Sequence, residues 1–177
     1  MDDVNMSRGT AQEPPESQEA RDRRCMRRVL DLALRAKGAG RHPFAAVVVD
    51  RNGLIVAEAA NNSMPPEGDP TQHAERLAAA QAAQRLSPAD LAGCTLYTNA
   101  EPCAMCAGAI YWCNIGRVVY AMSEQDLLEL TGDHPENPTL SLPCREVFAR
   151  GQRRIEVVGP LAEFAQDAAK PHIGFWK

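Results

Sequence analysis

Hydrophobic positions first recur at helical spacing. Cys25 or Met26, Val29, Leu30, Ala33 and Leu34 put an apolar stripe on one face of a helix predicted from about Ser17 to Lys37. Gly38 and Gly40 end it. The period then changes. Phe44 to Asp50 opens with six apolar residues, the pattern of a buried strand. Arg51-Asn52-Gly53 supplies a turn, and Leu54 to Ala59 returns as the hairpin partner. Asn61, Asn62 and the run from Pro65 to Pro70 form a loop. Thr71 is placed to N-cap a helix from His73 to Arg85, rich in Ala, Leu and Gln. Beyond it the pattern predicts a strand over Cys94–Thr98, a helix over Pro102–Trp112 and a strand over Arg117–Ala121. A short helix over Ser123–Leu130 precedes a three-proline loop, Thr131–Pro143. A helix over Arg145–Ala149, a strand over Ile155–Val158 and a closing helix over Leu161–Ala169 complete the chain. A hairpin followed by alternating helices and strands predicts an α/β sheet covered by helices on both faces.

Composition narrows this only a little. The 177 residues, 45% hydrophobic, suit one well-cored domain rather than two. Residues 1–20, with Pro14, Pro15 and scattered Glu and Gln, are expected to form a mobile tail before a single domain over 21–177. The opening Asp2 and Asp3 do not resemble a secretion signal, and six cysteines then suit a reducing compartment, so a cytoplasmic location is expected. No stretch is long and apolar enough to span a membrane. A net charge of −4 speaks against binding nucleic acid through global charge. The basic run Arg21, Arg23, Arg24, Arg27 and Arg28 reads either as an anion patch or, preferably, as a solvated face partly paired with Asp22 and Asp31.

The chemistry concentrates in two short stretches. Cys103 and Cys106 form a C-x-x-C, with Pro102 suited to the first position of a helix. Both cysteines then lie one turn apart near a helix N-terminus, where the dipole and free N–H groups stabilise thiolates. His73 supplies a third soft ligand, and Glu75 follows it by two residues. Three protein ligands leave a fourth position of a zinc ion open to water. A closed structural site would need another paired Cys or His. Cys94 and Cys113 sit in no such pair and read as buried thiols, while Cys25 and Cys144 carry no signal. His42, His134 and His172 lack ligand spacing and are expected on the surface or in loops. An unligated Glu75 would serve no purpose in a non-enzymatic zinc module.

The combined pattern, His73-Ala74-Glu75 with Pro102-Cys103-Ala104-Met105-Cys106, matches the H-x-E…P-C-x-x-C signature of zinc nucleobase deaminases. From about Arg21 to Ala169, and most sharply from Pro43 to Ala121, the chain resembles the cytidine-deaminase-like superfamily of zinc hydrolases. Pro43-Phe44-Ala45-Ala46 opens the strand before the zinc motif, as in that family. The resemblance implies a three-layer α-β-α sandwich on a mixed five-stranded sheet. It implies Zn2+ on His73, Cys103 and Cys106, with Glu75 as the proton shuttle.

Asp69-Pro70-Thr71 and Ala107-Gly108-Ala109 are shared with tRNA adenosine deaminases and with bacterial guanine deaminases. The Asn61-Asn62 pair and the run Gly108 to Trp112 resemble the guanine type, which converts guanine to xanthine and ammonia. A tRNA adenosine-to-inosine enzyme, or a deaminase of another small aminated ring, is the alternative. Substrate contacts are then expected from Asn61 or Asn62, from Phe44 and Trp112, and from backbone N–H groups around Ala74. An acidic residue after the fourth strand, Asp133 or else Glu136, completes the set. The family also assembles through the cysteine helix, so a homodimer is expected, with nucleic acid an unlikely partner. The aromatic end of the chain, with Phe175 and Trp176, either closes over the pocket as a lid or fills a groove on the body.

Overall fold

The computed structural model describes residues 16–176. Helix α1 (Gln18–Gly38) leads into the hairpin β1 (Ala45–Val49) and β2 (Ile55–Ala60). Helix α2 (Ala74–Arg85), a short α3 (Pro88–Leu91), β3 (Thr95–Ala100), α4 (Ala104–Trp112) and β4 (Arg117–Met122) follow. Helices α5 (Glu124–Thr131) and α6 (Cys144–Ala149), strand β5 (Glu156–Val158), a 3-10 turn (Ala162–Phe164) and α7 (Ala165–Ala169) complete the described elements. The five strands form one mixed sheet in the order β2-β1-β3-β4-β5. β1 runs antiparallel to β2 and to β3, while β3, β4 and β5 are parallel.

Alternation along the strands divides the core in two. Val47, Val49, Tyr97 and Val119 face Met26, Val29 and Ala33 of α1 and Phe164 and Ala168 beside α7. Ala46, Val48, Leu96 and Val118 face the opposite layer, built from Ala78 and Ala82 of α2, Ile110 of α4 and Phe148 of α6. Every residue of β1 is buried, as its continuous apolar run predicts for a central strand with both faces covered. Alanines dominate α2, so it lies close against the sheet and against α4.

Several boundaries differ from the sequence expectation. Glu16 and Ser17 already belong to the fold, inside the stretch assigned to the tail. Ser17 accepts from Ala20 N–H, and Glu16 pairs with Arg24 at 2.8 Å. The remainder of the expected tail, residues 1–15, lies outside the described residues. Leu34 of the expected apolar stripe is exposed, and Ala36 is buried instead. The closing helix divides into the 3-10 turn and α7. Thr71 does not cap α2. Its N–H and hydroxyl donate to Asp69 in a tight turn, and His73 takes the N-cap position without a capping side-chain bond. Pro102 likewise stands outside α4, whose N-cap is Cys103. The expected pairing of the α1 arginines with Asp22 and Asp31 is replaced by other partners, Glu19 for Arg23 and Glu16 for Arg24 among them. Arg23 reaches Glu163, and Arg28 reaches Glu58 at 2.6 Å.

Asp22 is drawn away to Arg117 on β4, with two 2.8 Å hydrogen bonds. Tyr97 Oη donates to the same carboxylate at 2.7 Å and Gln18 at 2.8 Å. This cluster ties α1 to β3 and β4. Burial pushes the Asp22 pKa up, but the bonds from Arg117, Tyr97 and Gln18 outweigh it and hold the carboxyl below the usual aspartate value. A depressed folded pKa contributes stability above the unfolded value and loses it as pH falls through the folded one. Asp22→Asn therefore lowers stability by about 2 kcal/mol at pH 7, the scale of losing charge-assisted hydrogen bonds, and leaves Arg117 with Glu156 alone. Thermal melts should show a Tm lower by about 4–8 °C, with the gap to the parent protein closing below about pH 4.

Candidate metal centre and substrate pocket

Two helix starts converge at one end of the sheet. His73 precedes α2, Cys103 precedes α4, and Cys106 lies in the first turn of α4. Cys103 Sγ is 3.6 Å from His73 Nδ1. The ligating atoms of His73, Cys103 and Cys106 all lie within 4.8 Å of one another. Tetrahedral zinc bonds of about 2.0–2.1 Å to nitrogen and 2.3 Å to sulfur require ligand atoms about 3.5–3.8 Å apart, so this donor set fits the ion. Cys106 is buried, whereas His73 and Cys103 are half-buried, so the centre opens to one side.

The electrostatics suit a cation. The Cys103 thiol is held down to about 4, first by a hydrogen bond from the Cys106 side chain and then by one from His73. The Cys106 thiol is pushed up because its proton serves Cys103 and because it is buried. Glu75 is 5% exposed, and burial raises its carboxyl to about 7 against the attraction of His73. Glu124, at the start of α5, is likewise raised to about 7 by burial and by the charges of Cys103 and Glu75.

His73, Cys103 and Glu75 form the floor of a cavity of about 530 Å³. Phe44 and Asn61 wall it from the sheet, Glu124 and Leu127 from α5, and residues 135–140 from the long loop. No Lys or Arg is among the described residues that line it.

Asn61 is 2% exposed. Its N–H donates to Phe44 O at 2.9 Å, and its Oδ1 accepts from Ser63 N–H at 2.8 Å and from Ser63 Oγ at 2.7 Å. Its Nδ2 has no hydrogen-bond partner among the described residues. Asn62 turns outward, between Arg41 and Gln72, and so does not take the pocket position left open for it. Glu136 reaches the pocket, and Asp133 does not, being exposed three residues earlier in the loop. Trp112 is 78% exposed. It stands at the far end of α4, about 13 Å along the axis from Cys103, which removes it from the pocket. The Ala74 side chain packs in the core, so only its backbone lies beside His73 and Glu75.

Sequence reasoning missed several residues. His42 and His172 are buried rather than superficial, at 7% and 2% exposure. Trp176 packs on His42 with ring centroids 5.1 Å apart and on Phe44 at 6.2 Å. None of residues 171–176 lines the cavity; Phe175 and Trp176 pack instead against His42 and Phe44 of its wall. Glu101, inside the E-P-C motif, was also overlooked. Its Oε1 accepts from Cys144 N–H at 3.0 Å, and its Oε2 accepts from Glu124 N–H at 3.2 Å. One carboxylate thus holds the starts of α6 and α5 beside the cysteine helix. An acidic residue immediately before a helix-opening motif was the available signal.

Residues 19–122 match the family described as the cytidine and deoxycytidylate deaminase zinc-binding region. The chain belongs to this family of zinc-dependent deaminases, and its cofactor is Zn2+. It is 40% identical over 151 residues to a probable cytosine deaminase of Schizosaccharomyces pombe, covering 85% of this chain and 90% of that protein. It is 43% identical over 105 residues to the guanine deaminase of Bacillus subtilis, covering 59% of this chain and 66% of that protein. A solved guanine deaminase from Nitrosomonas europaea superposes with a TM-score of 0.69 at 31% identity, covering 90% of this chain and 84% of that one.

Glu101→Gln leaves one of the two helix-start N–H groups facing an amide NH2 instead of an acceptor. The expected cost is about 1–3 kcal/mol, read as a lower Tm in a melt of the zinc-loaded protein. An unchanged Tm would show that the carboxylate does not anchor α5 and α6.

Proposed function

We propose that this chain hydrolyses an unphosphorylated aminated heterocycle, guanine first, to the corresponding carbonyl compound and ammonia. The observation that carries the reading is a donor set of His73, Cys103 and Cys106 beside buried Glu75, reached through His73, Cys103 and Glu75 from a cavity that no Lys or Arg among the described residues lines. In the proposal His73, Cys103 and Cys106 hold the zinc. The bound ion supplies Lewis acidity that makes water nucleophilic near neutral pH. Glu75 takes a proton from the attacking water, delivers it to a ring nitrogen, and protonates the departing amine as ammonia. Atoms balance as water plus amine giving carbonyl plus ammonia. Phe44 stacks against the ring, Asn61 Nδ2 donates to a ring acceptor, and Glu136 accepts from a ring N–H. A nucleotide or tRNA phosphate would meet no Lys or Arg among the described residues that line the cavity. The cavity volume falls in the range of small-molecule sites, about 300–1,000 Å³.

Guanine is favoured by the guanine deaminase of Nitrosomonas europaea, which matches across most of both chains. Cytosine is the second reading, favoured by the relative from Schizosaccharomyces pombe that matches over nearly its whole length. Both bases offer a carbonyl acceptor and a ring N–H, so Asn61 and Glu136 suit either. A homodimer belongs to the same proposal. Met105, Ala109 and Trp112 recur at helical spacing on an outer face of α4, with Trp112 largely in solvent.

Ammonia release from guanine, guanosine, cytosine, cytidine and adenosine-containing tRNA separates the readings. Guanine should be fastest, and the tRNA inactive. Activity confined to tRNA would overturn the proposal. Glu75→Gln should keep zinc and fold while the rate falls by about 10²–10⁴-fold. Cys103→Ala should lose zinc on dialysis, and full retention with normal turnover would remove it from the ligand set. Trp112→Glu should shift the light-scattering mass from dimer to monomer; a parent protein that is already monomeric contradicts the assembly.

A further inference from the structure

We infer that His42 is a positioning residue that joins Asn61 and Glu136 into one substrate-reading edge. The inference rests on the proposed role of these two side chains in the pocket. The His42 ring is nearly buried and lines the cavity. Its Nδ1 is 3.2 Å from Ser63 Oγ, and its Nε2 is 3.2 Å from Glu136 Oε2. A carboxylate only accepts, so Nε2 carries the proton and donates it. Ser63 is the other joint, with its hydroxyl 2.7 Å from Asn61 Oδ1 and its N–H on the same oxygen at 2.8 Å. The Ser63 N–H identifies that atom as oxygen, and the Ser63 hydroxyl, with one proton, donates either to it or to His42 Nδ1; Asn61 Nδ2 is left as the group that faces the cavity. The chain Asn61–Ser63–His42–Glu136 thus sets a donor and an acceptor at fixed positions on neighbouring walls.

Glu136 needs such a partner. It sits on the loop after α5, and its side chain is 57% exposed. Among the described residues His42 is its sole side-chain partner. The ring is itself clamped. Trp176 lies against it at 5.1 Å and Phe175 meets it edge-on at 5.9 Å. Trp176 is fixed in turn by donating from Nε1 to His172 Nδ1 at 3.1 Å. It also touches the ring of His134 at 5.5 Å, and Glu136 N–H donates to His134 Nδ1 at 3.2 Å. The aromatic end of the chain therefore supports both the ring that holds the Glu136 carboxylate and the loop that carries its backbone. Holding a long acidic side chain in place before substrate arrives removes part of the ordering cost of binding, so its loss is felt in KM.

The test uses the zinc-loaded full chain. Ring ¹⁵N spectra of histidine-labelled protein assign His42 by its loss in His42→Gln. Ser63→Ala and Glu136→Gln should each move the His42 ring signals; if neither does, the linkage is absent and the inference falls, whatever the enzyme acts on. With guanine or cytosine, whichever releases ammonia faster, His42→Ala should raise KM about tenfold while kcat changes less than about threefold. His42→Gln, which keeps a donor toward Glu136, should recover most of that loss. A fall in kcat at constant KM, or no change in either, would overturn the inference. Should His42→Ala fail to fold, Ser63→Ala carries the same kinetic expectation. Failure of the parent protein to act on either base would count against the proposed function, and the spectra would still decide the linkage.

Discussion

The site depends on one geometric requirement: two helix starts must bring a histidine and two thiols to the same few ångströms. Parallel pairing of β3 and β4 forces α4 to cross over the sheet and to begin at the carboxyl end of β3. Helix α2 lies on the same face, and its alanines let it approach α4 closely. His73 and Cys103 occupy the two N-cap positions, where side chains point out of the helix. Free N–H groups and the two helix dipoles then favour negative sulfur at that point. The sheet, the crossover and the small residues of α2 all serve this convergence.

Charge around the centre follows the same economy. Glu75, Glu101, Glu124 and Glu136 all line the cavity. Glu101 spends both oxygens on helix starts, and Glu136 leans on His42. Glu75 and Glu124 remain near the metal ligands, where burial makes their ionised forms costly. Under the proposed function such a lining would favour an unphosphorylated aminated ring.

The clustering of His73, Cys103 and Cys106 was legible because its chemistry is local: all three sit at fixed offsets from helix starts. The sheet was legible from the strand runs, since a residue buried on both faces leaves no polar alternation. What escaped depended on distance in the chain. Trp112 reads as a pocket residue from the resemblance carried by the run Gly108 to Trp112, but the helix axis carries it away from Cys103. Asp133 and Glu136 are indistinguishable by spacing, because a loop with three prolines sets no period. His42 gains its role only from Ser63, Glu136 and Trp176, three partners from three separate segments. Asp22 looked like a local partner for the α1 arginines until β4 brought Arg117 to it.

The central claim is that a zinc ion sits among one imidazole and two thiolates with one position left for water. Zinc-edge X-ray absorption of the purified protein tests it most directly. The account predicts two sulfur scatterers at about 2.3 Å and two nitrogen or oxygen scatterers at about 2.0–2.1 Å. A shell of four sulfurs would mean a closed structural site, and a shell with no sulfur would place the ion elsewhere; either result would contradict the account.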